Sequence, residues 1–224
     1  MRLAVLLSGG KDSLLALQKA RENHEVVCLI SLYSENDESY MFHVPNIHIT
    51  KAQSQVMNIP LIIKKTKGQK EKELQELESA IKQAKEEYEV EGIVSGAIKS
   101  TYQSSRIEKI CKKLDLWSFN PLWLRPQLEI LNDIIKNNFK VIISGVFAYP
   151  FDKEFLGKII DEKIIDKLKE FGEKYKINEA GEGGEIETTV LMTPFFEKEI
   201  IVIDSETTYD KYAGTYFIKK YELK

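Results

Sequence analysis

Cysteine, proline and histidine are scarce in this chain of 224 residues, which has 2, 6 and 3 of them. Cys28 and Cys111 stand far apart in apolar surroundings, with no Cys-x-x-Cys pair, so a zinc site is not expected and a reducing compartment is. His24, His43 and His48 have no partners at metal-ligand or triad spacing, and no Ser/His/Asp or Cys/His arrangement is readable. No apolar run approaches the roughly 20 residues that a membrane-spanning helix needs. No signal peptide is expected, because the chain passes almost directly from Met1 into a strand. An excess of positive charge is missing too: 32 Lys and Arg against 35 Asp and Glu leave a net charge of −3. The chain as a whole is therefore no electrostatic binder of nucleic acid. These absences describe a cytoplasmic protein with no nucleic-acid and no membrane partner.

What is present is a globular composition, 43% hydrophobic and 30% charged, with no repeat and no low-complexity tract. The length fits one large domain, or one domain with an appendage, and can bury a substantial core. Strand-like runs at Arg2–Leu7, Glu25–Leu32, Pro60–Ile63 and Gly92–Gly96 alternate with helical stretches at about Ile47–Met57, Lys70–Tyr88 and Tyr102–Leu114. That alternation predicts an α/β fold, a parallel sheet with helices on both faces, whose ligands bind at the carboxyl ends of the strands. The mixed-sign run from Lys64 to Glu91 reads as a solvated helix face. The character changes near Asn120-Pro121-Leu122-Trp123. A helix at about Gln127–Asn137, a strand at Lys140–Val146 and a helix at about Asp161–Tyr175 follow, then strand-like segments at Glu185–Leu191, Glu199–Ile203 and Thr215–Tyr221. We expect two domains, residues 1–120 and a smaller α+β unit of residues 121–224.

The organising stretch is Ser8-Gly9-Gly10-Lys11-Asp12-Ser13, between the first strand and an Ala/Leu-rich helix. Asp12 and Ser13 are expected to cap that helix. A strand that turns into a helix over Gly-Gly presents bare N–H groups and the positive end of the helix dipole to an anion. Ser8 and Ser13 add hydroxyls, Lys11 a point charge, and Asp12 a carboxylate for a magnesium ion. The motif differs from the Gly-x-x-x-x-Gly-Lys-[Ser/Thr] phosphate loop. It resembles the pyrophosphate loop of the ATP pyrophosphatases, which split ATP into AMP and pyrophosphate.

Two further constellations carry chemistry. Gly96, at the end of the fourth strand before Ala97 and Ile98, is expected to let the nucleotide approach the backbone. Tyr102, Gln103 and Arg106 open the next helix, where 102 and 106 share a face. Arg106 is placed to aim at phosphate or carboxylate, or else to pair with Glu108 on the surface. Later, Gly181-Glu182-Gly183-Gly184-Glu185-Ile186-Glu187-Thr188 brings three carboxylates around a tightly turned backbone. Glu185 and Glu187 fall on one face if a strand begins there. Such a cluster suits an incoming amine, whose proton a carboxylate can take, a trimethylammonium group or a metal; a polar hairpin loop is the plain alternative.

Together with Met41-Phe42-His43-Val44-Pro45-Asn46, Ser95-Gly96-Ala97-Ile98 and Pro121-Leu122-Trp123, these segments resemble one family of ATP pyrophosphatases, the diphthine–ammonia ligases. The resemblance spans most of the chain in the family's order; Tyr102-Gln103-Ser104-Ser105-Arg106 and the acidic Gly-rich piece are its specific parts. It implies a five-stranded parallel sheet of the HUP type and ATP with Mg²⁺ as cofactors. Its substrate is translation elongation factor 2 carrying diphthine, a modified histidine that ends in a carboxylate. ATP adenylates that carboxylate, ammonia attacks the acyl-adenylate, and AMP and pyrophosphate leave. Residues 8–13 and 96–98 then hold ATP, with Asp12 on the metal. Lys11, Asp12, Glu182, Glu185 and Glu187 are the catalytic candidates. His43, Asn46, Tyr102, Gln103, Arg106, Gly183, Gly184 and Thr188 are the candidates for the acceptor.

The chain looks like the short, archaeal-type form of the family. It has Met192 before Thr193-Pro194 where relatives often carry an acid, which puts any role for that position in doubt. The competing readings are a tRNA-modifying ATP pyrophosphatase, expected to bring cysteines or a basic extension, and a non-catalytic ATP or AMP sensor. Oligomeric state is not readable, and a homodimer stays open.

Overall fold

The computed structural model describes residues 1–34, 45–66 and 70–224. His43 and the Met41–Val44 part of its motif lie outside the described residues. Strands β1 (Arg2–Leu6), β2 (Glu25–Ser34), β3 (Leu61–Thr66), β4 (Gly92–Val94) and β5 (Trp117–Phe119) form an all-parallel sheet in the order β3-β2-β1-β4-β5. β5 is three residues long, too short to show a period, and only its pairing with β4 reveals it.

Alternation along β1 sorts the helices onto two faces. Leu3, Val5 and Leu7 join a core made with α1 (Lys11–Arg21) and α2 (Thr50–Met57). Ala4 points the other way, into a core with α3 (Lys70–Tyr88) and α4 (Thr101–Lys113). Period-two side chains on a strand buried on both sides dictate this division. The chain leaves β1 to build β2 and β3 on one side and returns to build β4 and β5 on the other. The order therefore reverses between β1 and β4, the point where open parallel sheets bind ligands.

After α5 (Gln127–Lys136) come β6 (Lys140–Val146), α6 (Glu162–Tyr175), β7 (Ile186–Met192), β8 (Ile200–Asp210) and β9 (Ala213–Leu223). The four strands form an antiparallel sheet in the order β7-β6-β9-β8. The larger core cluster runs without a break from α1, α2 and β1 through Ile130, Leu131 and Ile134 of α5 into Val141, Val190 and Ile218 of this second sheet. The two sheets are thus fastened by shared apolar burial.

Polar groups add a clamp. Asn46, buried and left-handed at φ 65°, donates from Nδ2 to the Tyr216 carbonyl (2.8 Å) and to Thr189 Oγ1 (3.3 Å). Its Oδ1 accepts from the Ile218 N–H at 2.7 Å, and His48 Nε2 lies 2.9 Å from the Ile218 carbonyl. Asn46→Ala strands the buried N–H of Ile218 and places a Cβ-bearing residue without local hydrogen bonding at a positive φ. The expected loss is about 2–4 kcal/mol of stability, read as a lower urea midpoint, with the KM for ATP within twofold of the parent.

Candidate active site

A cavity of about 470 Å³ opens where the loops after β1 and β4 meet the start of β7. Its floor is the turn Ser8–Ser13. Gly9 has φ 86°, and its carbonyl accepts from Gln53 Nε2 (3.0 Å) and from the Val190 N–H (3.0 Å). Gln53, fully buried, also donates to the Val190 carbonyl at 2.8 Å, so it ties the turn to β7. No motif in the sequence singles Gln53 out; only its complete burial in α2 does.

The helix does not begin as expected. Gly10 is the N-cap, and α1 starts at Lys11, which puts Asp12 and Ser13 inside the first turn. Ser13 Oγ donates to the Gly10 carbonyl (3.0 Å) and accepts from Ser8 Oγ (3.2 Å). The capping acceptor comes from far along the chain: Thr188 Oγ1 takes the Lys11 N–H at 3.1 Å. Gly10 lets Thr188 come so close, since a Cβ there would sit 3.2 Å from both the Thr188 carbonyl and its Oγ1. Lys11 is buried, and its Nζ lies 2.8 Å from Asp12 Oδ2. Asp12 Oδ1 is buried and, among the described residues, without a hydrogen-bond partner. An orphaned carboxylate oxygen facing a phosphate-sized turn fits a magnesium ion, which takes one or two carboxylates and completes its shell with phosphate and water.

Gly96 makes room for the chain itself as well as lining the cavity. A Cβ there would meet the Asp12 carbonyl carbon at 2.7 Å and the Ser13 nitrogen at 2.8 Å. The group that comes close is the first turn of α1, which β4 and α1 bring together across the sheet switch. Gly96 and Ala97 line the cavity, whereas Ile98 is fully buried in the core. Leu6, Ile30, Leu32, Leu77 and Ile107 make an apolar wall, the surface a purine base needs.

The structure separates the three glutamates. β7 begins at Ile186, so Glu185 lies outside the strand and does not share a face with Glu187. Its Oε1 accepts from the backbone N–H (2.9 Å) and side-chain Nδ2 (2.8 Å) of Asn178, and its Oε2 from the Gly183 N–H (2.9 Å). Gln127 braces the same turn, donating to Asn178 Oδ1 and accepting from the Ala180 N–H. Glu182 Oε1 accepts from the N–H groups of Lys99 (2.8 Å) and Ser100 (2.9 Å), which pins the Gly-rich loop to the residues that lead into α4. Burial raises its pKa, opposed by those two N–H groups. Glu187 lines the cavity and makes no hydrogen bond among the described residues. Desolvation pushes its carboxyl up to about 7; the Lys11 ammonium pulls it down and the Asp12 charge raises it. Gly183, Gly184 and Thr188 also line the cavity.

The opening of α4 divides. Gln103 faces the cavity, while the Arg106 guanidinium stacks 3.3 Å over the Tyr102 ring and donates to the Tyr102 carbonyl. Arg106 lines a separate outward groove with Glu78, Lys109 and Lys113 between α3 and α4. Tyr102 and Arg106 share a face as expected, but it is not the face that carries Gln103. Asn46 is spent on the clamp to β9 and does not reach the cavity. Cys28 and Cys111 are buried, which pushes their thiols up to about 12 and about 11.

A family model described as Diphthamide synthase N-terminal domain matches residues 1–118, and one described as Diphthamide synthase C-terminal domain matches residues 126–223. The chain is 37% identical over 226 residues to a protein named diphthine–ammonia ligase from Mus musculus, covering 92% of this chain and 84% of that one. It is 35% identical over 246 residues to the protein of the same name from Bos taurus, covering 100% and 92%. Among solved structures, a chain described as a predicted subunit of tRNA methyltransferase from Methanocaldococcus jannaschii DSM overlaps 87% of this chain. Its TM-score is 0.42 and its identity 14%, too slight a likeness to say anything of function.

Proposed function

The chain belongs to the diphthine–ammonia ligase family, and on that premise we propose how its residues convert diphthine to diphthamide with ATP and ammonia. The observation that carries the reading is Glu187, a carboxylate without a hydrogen bond among the described residues, in a cavity whose floor is an anion-binding turn. Residues 1–120 hold ATP, and residues 121–224 supply the acidic loop that meets the acceptor. The triphosphate lies over Ser8–Ser13, where the α1 N-terminus and Lys11 face negative charge. The base rests on the wall of Leu6, Ile30, Leu32 and Ile107. Mg²⁺, held through Asp12, supplies charge neutralisation on the phosphates.

The acceptor carboxylate attacks the α-phosphorus, an acyl-adenylate forms and pyrophosphate departs. The helix N-terminus and Lys11 stabilise the charge on that leaving group. Ammonium pairs with Glu187 and gives it a proton. Ammonia then forms the C–N bond, the C–O bond to the adenylate breaks with its oxygen and electron pair leaving on AMP, and the nitrogen gives up its surplus proton to solvent. A carboxyl near pKa 7 is suited to this exchange, since it is available as a base at neutral pH. Glu182 and Glu185 act one step back, because their bonds to Lys99, Ser100, Asn178 and Gly183 shape the loop that presents Glu187. The protein acceptor in this reading is translation elongation factor 2. Among the described residues no helix is long and apolar enough to cross a membrane.

The deciding assay incubates the protein with ATP, Mg²⁺, ammonium and elongation factor 2 bearing diphthine. AMP and pyrophosphate should appear in step with a loss of about one mass unit from the factor, as a hydroxyl becomes an amide. ATP bound but left uncleaved with that acceptor would refute the reading.

A further inference from the structure

One exposed aromatic side chain lies beside the reacting centre, and neither the pyrophosphate turn nor the acidic loop accounts for it. Phe147 follows the last residue of β6 and is 40% exposed. Gly145 pairs directly with Glu187 across the β6–β7 ladder, and Phe147 is two residues beyond Gly145. Cross-strand partners share a face, so position 145 faces the side of the sheet that carries Glu187, and Phe147 lies one residue past the end of β6. The packing agrees. A Cβ on Gly145 would meet Phe147 Cε2 at 2.6 Å, Phe147 Cζ at 2.9 Å and Glu187 Cβ at 3.1 Å. Gly145 therefore leaves the room in which the ring folds back against Glu187. The Phe147 N–H donates to the Glu185 carbonyl at 2.9 Å, which fixes the residue to the mouth of the acidic loop.

The ring is exposed, and its place is set by the contact over Gly145 rather than by the core. Among the described residues it pairs with no other ring and no cation lies over it. Two residues further on, the exposed Tyr149 shows by contrast a ring that is already partnered. Tyr149 packs edge-on against Tyr175 and Tyr212, each at 5.1 Å, and the Lys174 ammonium lies 5.1 Å from the Tyr175 ring centre.

We propose that Phe147 is a specificity-determining residue whose ring, with the Glu187 carboxylate beside it, receives the quaternary ammonium of the acceptor. The inference rests on the diphthine reading above. In diphthine the quaternary nitrogen is carried on the carbon next to the carboxyl that is amidated, so wherever the carboxyl reacts, the fixed positive charge is one carbon away. A methylated ammonium cannot donate hydrogen bonds. It is recognised by an aromatic face within about 6 Å of the ring centre and by nearby negative charge.

The test compares the parent with Phe147→Ala and Phe147→Trp. Two forms of the acceptor protein are used, one carrying diphthine and one the same side chain with a primary amine. Phe147→Ala is expected to raise the KM for the trimethylated acceptor about tenfold and that for the amine less than threefold. The KM for ATP should stay within twofold, and Phe147→Trp should restore the trimethylated acceptor. Equal rises for both acceptors, or none, would overturn the proposal. A direct titration keeps it separate from the reading of function. Tetramethylammonium should shift the NMR signals of the parent around Phe147 and fail to do so with Phe147→Ala at an unchanged urea midpoint. If the parent amidates nothing yet tetramethylammonium binds in this way, the function is wrong and the ring's role stands. If the parent amidates diphthine and the alanine variant behaves like it, the ring's role falls and the function stands.

Discussion

Glu187→Gln is expected to lower the rate of amidation by 10²–10⁴-fold, the range lost with a general base, while ATP still binds within a few-fold of the parent affinity. The substitution keeps the volume and removes the charge that, in the proposed reaction, pairs with ammonium and takes its proton. The pH profile should carry the same signature. With the carboxyl raised to about 7, its basic form is lost as pH falls through 7. The parent's kcat/KM for ammonium should therefore fall about tenfold per pH unit below that point, and the Gln variant should show no such limb. Stability must move in the opposite sense. A carboxyl whose folded pKa exceeds its unfolded value contributes stability below pH 4.5 that is lost as pH rises through 7. Glu187→Gln should thus stabilise the protein at pH 8, by on the order of 2–3 kcal/mol, and have little effect at pH 4. Urea unfolding at the two pH values checks this, and a variant less stable at pH 8 would contradict the burial argument. A costly charge kept at a reacting centre is the expected trade of stability for activity.

Gly96→Ala is the second large effect. The added methyl has no side chain to displace, because the atoms it meets, at 2.7, 2.8 and 2.9 Å, all belong to the Asp12–Ser13 backbone. Either β4 or the first turn of α1 must move, at about 1–3 kcal/mol. The turn is also the proposed seat of the triphosphate, so ATP affinity should fall more than tenfold together with stability. Ala97→Gly, at the neighbouring lining position, should leave ATP affinity within threefold. Equilibrium binding of ATP and urea midpoints on the two variants separate the outcomes. Normal ATP affinity in Gly96→Ala would show that the turn tolerates displacement.

Local chemistry made much of the architecture legible. The apolar run into Ser8-Gly9-Gly10-Lys11-Asp12-Ser13 announces a strand, a tight turn and a helix, because those residues act on their own backbone. Long amphipathic helices such as Lys70–Tyr88 are as readable, since their period repeats over several turns. Trp117–Phe119 was not legible: three residues show no period, and the strand exists by virtue of β4 beside it. The end of the first helix that faces the site was half legible. Glycine and hydroxyl residues marked the turn, but Asp12 and Ser13 were the obvious caps, and Thr188, 177 residues away, holds the Lys11 N–H.

The same division runs through the site. The amino-acid order by itself determined an α/β protein with an anion-binding turn at the first strand and a second, acidic glycine-rich turn near the end. Both are short-range patterns of glycine, hydroxyl and charge. It did not rank the three glutamates, for all are identical carboxylates within six residues. Only the tertiary structure decides among them. Glu185 is occupied by Asn178 and Gly183, Glu182 by Lys99 and Ser100, and Glu187 is set in the cavity beside Lys11 and Asp12 with its charge uncompensated by hydrogen bonds among the described residues. A carboxylate's role depends on which N–H groups and charges surround it and on how much water remains. Those neighbours come from α1, from the residues that lead into α4 and from the turn between α6 and β7, far apart along the chain and joined only by the fold.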